Sequence, residues 1–379
     1  MSNPWNEPGP GYVPGAEPTS HAVSDVDLDK PEEPAPERPR RRLSLTGRAG
    51  FLLRRLGTYL IVAFVSVVLN FVLPRFMPGD PATELIREIV AKTGAPPSPY
   101  QMQLIKARYG DPDRSVILQF WDYLSQMAQG DFGQSIQYYP VPVMDLIARA
   151  LPWTLYLALV STILGWIIGT WIGTRLGWRP GGRLDSFVTP IAMFFSSIPA
   201  FWLGLLIVWY FAYNKGWFPN QGAYNNDYPI DLTNPDFLAS AVYHSILPFF
   251  TLIIVGFAGW LFSMRNMMIT TVNEDYVQLA RAKGLKTSRI RSGYAARNAI
   301  LPNFTGLAQS MGQALTAVIL AEAVFVYPGV GSLLAGAQGS RDYPVMQAIM
   351  LMIIFMSLAF NFIADSVYVI LDPRTRETR

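Results

Sequence analysis

Six stretches of this chain are apolar enough to cross a bilayer as helices, and no other feature restricts its fold so severely. They are 57–73, 151–173, 187–213, 243–264, 304–327 and 345–371, each reaching the roughly 17–25 residues a spanning helix needs. The fifth is the least apolar, with Gln309, Gln313 and Glu322 inside it. In hydrocarbon every backbone N–H and C=O must find a partner within the protein, so such runs are read as helices. The expected fold class is an all-α membrane protein with six transmembrane helices. Mean hydropathy is only +0.23 over the 379 residues, so sizeable polar segments must accompany the spans.

Lys and Arg fall in alternate connections. The link 174–186 carries Arg175, Arg179 and Arg183 against Asp185. The link 269–302 carries Arg281, Lys283, Lys286, Arg289, Arg291 and Arg297 against Glu274 and Asp275. By contrast, 214–242 sets Lys215 against Asp227, Asp231 and Asp236, and 328–344 holds Arg341 with Asp342. Basic segments stay on the cytoplasmic side. Both termini are therefore expected in the cytoplasm, with 74–150, 214–242 and 328–344 outside. Residues 1–50 are rich in Pro and Gly, end in a basic cluster at Arg38, Arg40, Arg41 and Arg42, and read as a disordered tail. The first apolar run begins too late for a signal peptide, so 51–73 is expected to remain as an anchor. Helical spacing in 74–150 predicts a helical outer cap, punctuated at Gly79–Pro81, Gly110–Pro112 and Gly130–Asp131. The core then runs over 151–371, followed by a basic tail, 372–379.

Many kinds of chemistry are excluded. With no cysteine there is no disulfide, thiolate metal site or cysteine nucleophile, and His21 and His244 form no metal cluster. Neither Lys92–Thr93 nor Lys286–Thr287 follows a Gly, so there is no phosphate-cradling loop. Gly329–Val330–Gly331 reads as a turn. The chain is expected to hydrolyse no ATP and to carry no cofactor or metal, and nothing points to nucleic acid. Glu322, Asp365 and Arg265 lie near span ends, where interfacial roles are expected. Pro190, Pro199 and Pro248 interrupt backbone hydrogen bonding within spans. Ser196, Ser197 and Pro199, with Gln309, Gln313 and Glu322, are the candidates for lining a path; a packing kink is the equal alternative at the prolines.

The link 273–304 is the most unusual segment. Asn273 is read as an N-cap, and Glu274 and Asp275 place acid at the positive end of a helix. Arg281 and Lys283 follow at the other end, Gly284 suits the left-handed position past it, and Leu285 comes next. Tyr276 and Leu279 are apolar anchors, and Ala280 and Ala282 permit close approach. Ser288 is expected to cap a second helix stopped by Pro302. Such a knob suits either a groove in another protein or an anionic lipid surface.

At DYVQLARAKGL and RNAILP the sequence resembles the signature cytoplasmic loop of permease subunits of bacterial ATP-binding-cassette importers. Its departures from the broad loop pattern, at Gln278, Leu279 and Ala280 and in the longer stretch from Gly284 to Pro302, resemble the dipeptide, oligopeptide and nickel branch. MPGDPA (77–82), QGDFGQS (129–135), LPWTLYLAL (151–159), SIPAFWLGLL (197–206), VFVYPGVG (324–331), RDYPVMQ (341–347) and LDPRTR (371–376) match that branch in order. The long outer segment is typical of its first permease. The resemblance implies the type I importer fold, with a coupling helix between spans four and five that docks on an ATPase. It further implies a second permease, two ATPase subunits, an extracellular binding protein and a location in the cell membrane among its lipids. Short peptides are the expected cargo, with oligosaccharides or a nickel complex as alternatives. From another class, a stand-alone secondary transporter remains open, as does a membrane-anchored interaction protein.

Overall fold

The computed structural model describes residues 45–76, parts of 86–105, and 115–371. The tail as far as residue 44, Gly79–Pro81, Gly110–Pro112 and 372–379 lie outside the described residues. Among those described, the regular structure is helical: α1 (Leu45–Phe76), α2 (Val116–Ala128), α3 (Val143–Trp178), α4 (Arg183–Ser196), α5 (Ala200–Ile207), α6 (Pro235–Val272), α7 (Asp275–Ala282), α8 (Ala296–Phe325), α9 (Val330–Gly339) and α10 (Tyr343–Leu371). Within α1 and α10, and along α3 and α6, run four stretches that cross a membrane by length and apolarity alone. Two more are bent pairs: α4 with 200–214, at 98°, and 287–307 with 309–325, at 54°. Counting each pair as one span gives six.

The sharp bend has a local cause. Pro199 has no N–H and disfavours helix at the residue before it, so α4 ends and α5 starts with Pro199 as its N-cap. The Ser196 and Ser197 hydroxyls both donate to the Met193 carbonyl oxygen, at 3.0 and 2.8 Å, satisfying the last turn of α4. Pro190 and Pro248, in contrast, lie inside continuous helices. So does Pro302, which corrects the expectation that it stops a helix. Ala295 and Ala299 are buried just before it, and Asn303 just after it donates to Thr170 Oγ1 at 2.9 Å. Tertiary contacts on both sides hold the helix through one missing hydrogen bond.

The centre of the fold is the α3–α6 pair. Gly169, Gly173 and Gly177 recur every four residues along one face of α3, and all three are buried. A Cβ on each would overlap a carbonyl oxygen of α6, those of Phe257, Leu261 and Arg265 in turn. The missing side chains let two backbones meet, which substitutes for hydrophobic driving force where the solvent is lipid. Around this pair α8 and α10 complete the core through Leu315, Val318, Ala321 and Phe325 on one side and Val345, Ala348 and Ile349 on the other. Within 74–150, α2 is capped by Ser115 and sets Phe120 edge-on to Phe71 of α1, at 5.1 Å between ring centroids. Asn70 donates to both Tyr123 Oη and the Gln347 carbonyl oxygen, joining α1, α2 and α10.

Candidate functional site

Two tight turns separate α7 from the long helices on either side. Asn273 closes α6 as its C-cap, its amide donating to the Ile269 carbonyl oxygen, and Glu274 is the N-cap of α7. The expected cap is thus displaced by one residue, because the longer helix claims Asn273 first. Asp275 supplies acid in the first turn and Arg281 base in the last, both complementary to the helix dipole. At the far end the Gly284 N–H donates to the Arg281 carbonyl oxygen and the Leu285 N–H to that of Ala280. With Gly284 at φ +70°, this is a Schellman ending, a conformation glycine adopts without steric penalty.

The two faces of α7 differ. Val277 and Ala280 are buried against Met264 and Met268 of α6 and against Ile290 and Ala295 on the approach to α8. Leu285 packs on the same cluster. Arg281 lies 5.2 Å over the Trp178 ring at the end of α3. Three elements therefore grip the helix from within. On the other face Tyr276, Leu279 and Lys283 are exposed at helical spacing, Leu279 by 56%. Glu274, Asp275, Ala282 and Gly284 are exposed as well. Of the residues expected to make the docking surface, Ala280 is buried in this chain's own packing, where its small size brings α7 close to α6, and Leu285 is half-buried against the same cluster.

A second anchoring point lies where α4 begins. Asp185 takes Arg265 Nε and Nη2 at 2.7 Å each, and also accepts from the Gly181 N–H and the Thr189 hydroxyl at 2.8 Å. All of its carboxylate bonds thus join the 179–182 turn and α4 to α6. Sequence alone offered Arg265 as an interfacial charge and gave no means of pairing it across 80 positions.

The structure gives Glu322 a place different from the path-lining one expected. It is fully buried, its Oε2 accepting the Gly331 N–H at 2.6 Å at the start of α9. Nearby the Val330 N–H donates to Thr154 Oγ1 at 2.8 Å, and Ser245 and Tyr327 share a hydrogen bond of 3.2 Å. This polar node ties α3, α6, α8 and α9 together and leaves Glu322 no open space to border. Ser196, Ser197 and Pro199 are exposed at the bend between α4 and α5, whereas Gln309 and Gln313 are exposed on one face of α8, away from that bend in sequence and on another element. Asp365 accepts from Arg55 and from the Tyr59 hydroxyl, joining the ends of α10 and α1. Among the described residues no group of three or more His, Cys, Asp or Glu side chains is placed to hold a metal ion.

Residues 161–377 match the family described as binding-protein-dependent transport system inner membrane component. Over 327 residues the chain is 33% identical to the oligopeptide transport system permease protein AppB of Bacillus subtilis (strain 168), covering 86% of this chain and 99% of the relative. It is 30% identical over 341 residues to the di/tripeptide transport system permease protein DppB of Pseudomonas aeruginosa (strain UCBPP-PA14), covering 87% and 99%. The dipeptide transport system permease protein DppB of Lactococcus lactis subsp. cremoris (strain MG1363) is 29% identical over 326 residues, covering 86% and 99%.

Proposed function

This chain belongs to the family of binding-protein-dependent transport system inner membrane components, and from that premise we propose that it forms half of the path by which an ATP-driven importer takes up short peptides. The peptide cargo is supported by the names of its relatives, which are oligopeptide, di/tripeptide and dipeptide permeases. A second permease supplies the other half, a binding protein delivers cargo from outside, and two ATPase subunits act from the cytoplasm. The chain sits in the cell membrane with both termini inside, a reading supported by the Lys and Arg of 174–186 and 269–302.

The observation that carries this reading is the two-faced α7. Its inner face is locked to α6, the approach to α8 and the end of α3, while Tyr276 and Leu279 stand exposed on the outer face. An apolar pair facing water on a gripped helix is a docking anchor: a partner groove that takes it moves the helices behind it rather than bending a loop. When the ATPases close, α7 transmits the displacement to α6 and α8, and the path reopens toward the outer face. Ser196, Ser197 and Pro199, at the bend of the third span, together with Gln309 and Gln313 on α8, are the groups of this chain that line it.

The variant Tyr276→Ala/Leu279→Asp tests the docking role. It keeps Val277 and Ala280 inward, so membrane abundance stays unchanged. Co-purification of the ATPase subunits and peptide-stimulated ATP hydrolysis are both expected to fall at least ten-fold. Uptake at the unmodified rate would remove α7 as the docking element, and peptide movement by the purified chain alone, without nucleotide, would remove the ATP-driven reading altogether.

A further inference from the structure

A cleft of about 390 Å³ opens between α1, α8 and α10, and its lining does not suit hydrocarbon. Gln309, Gln313 and Thr316 occupy one face of α8, at i, i+4 and i+7. Asn361 and Asp365 face them from α10, and Arg55 and Tyr59 close the third side. All three helices belong to membrane-crossing segments, where polar side chains are expensive and point to a partner, water or a ligand. The side-chain amides of Gln309, Gln313 and Asn361 nevertheless hydrogen-bond to no described residue.

The charges lie at one end of this cleft. Arg55 stands just inside the start of the first span and Asp365 just before the end of the last. Arg55 and the Tyr59 hydroxyl both bond to Asp365 Oδ2, and among the described residues Oδ1 has no hydrogen-bond donor. The amides begin beyond the charges and run deeper. From Gln309 to Thr316 is a rise of about 10 Å along α8 at 1.5 Å per residue. An extended peptide advances roughly 3.3–3.6 Å per residue, so about three residues fill that length.

We infer that the cleft is an intramembrane binding site for a short peptide, its protonated amino end on Asp365 Oδ1 and its backbone amides against Gln309, Gln313 and Asn361. Side-chain amides each offer donors and an acceptor, so they pair with peptide N–H and C=O groups whatever side chains the cargo bears. One carboxylate oxygen fixes the direction of entry, and the amides hold the chain without reading its sequence. The inference rests on the peptide-import reading above and adds to it a location and a polarity.

The test uses the assembled importer, both permeases and both ATPases, in lipid nanodiscs without the binding protein, and titrates it with trialanine and with N-acetyl-trialanine. Trialanine is expected to bind, and to bind at least ten-fold more weakly to the Asp365→Asn and Gln313→Leu importers. N-acetyl-trialanine is expected to bind the unmodified importer at least ten-fold more weakly than trialanine, and to be indifferent to Asp365→Asn. Gln313→Leu leaves the ion pair intact, so it decides the matter even where Asp365→Asn fails to assemble. Equal binding of the two peptides, or no effect of either substitution, overturns the site. Loss of the second permease from the Gln313→Leu importer overturns it too, by making the amides a subunit contact. Failure of the peptide reading looks different: the unmodified importer, given its binding protein and ATP, would take up no trialanine at all.

Discussion

The Glu322 carboxylate occupies the space beside residue 329 where any side chain would have to go. A Cβ on Gly329 would overlap both of its oxygens, so the glycine is there to admit an acid, not only to make a turn. Gly329→Ala is accordingly expected to lower stability in detergent by more than about 2 kcal/mol, as overpacking at a rigid site does. Glu322→Ala strands the buried Gly331 N–H at a cost of about 1–3 kcal/mol. It also removes the clash, so the double variant should melt above the sum of the single losses; strict additivity in thermal unfolding would refute the packing account. At this scale sequence showed a carboxylate near a span end and a glycine pair nearby, but not that they touch. The six positions between Glu322 and Gly329 include a left-handed residue at Val326 that turns the chain back, and nothing in a β-branched side chain announces such a turn. Gly284 was legible for the opposite reason: a glycine following basic residues at a helix end has one common use.

Among elements, the α3–α6 contact makes the sharpest demand. Gly173→Val would set a methyl-bearing carbon against the Leu261 carbonyl oxygen, a backbone atom that no rotamer change can move. The expected result is a protein that inserts but fails to pack, with monodisperse yield on size-exclusion chromatography reduced at least five-fold; Gly256→Val, at an exposed helical glycine of α6 with nothing within 4 Å of an added Cβ, is the matched control for losing a glycine. The Gly-every-four spacing was present in the sequence and is a known sign of close helix approach. Its partner was not, because any apolar helix can receive such a face. Span lengths were legible because bilayer thickness fixes them. The 98° bend was foreshadowed by Pro199, whereas Pro302, of the same type, ends no helix where it stands, between buried neighbours on both sides, and the 54° bend of its span is taken between 307 and 309. Proline supplies an opportunity to bend; packing determines whether it is taken.

For the molecule as a whole, orientation is open to direct measurement because the chain has no cysteine of its own. Asp227→Cys, in an exposed loop, should react with a membrane-impermeant maleimide added to intact cells, and Lys286→Cys only after permeabilisation; the reverse pattern would invert the topology argued from Lys and Arg. The apolar runs and the short capped helix α7 were readable from hydropathy, charge and caps. The polar ties at Asp185, Glu322 and Asp365 were not, because each joins elements that only the tertiary fold brings together. That separation bears on how the protein is made. Gly169 precedes its contact at Phe257 by about 90 residues, which at roughly 5–20 residues per second occupies a ribosome for on the order of 4 to 18 s. Through that interval α3 is already long enough to enter the bilayer, yet its glycine face has no α6 to close on it. Biogenesis therefore passes through a nascent chain whose glycine seam stays open until α6 has been made.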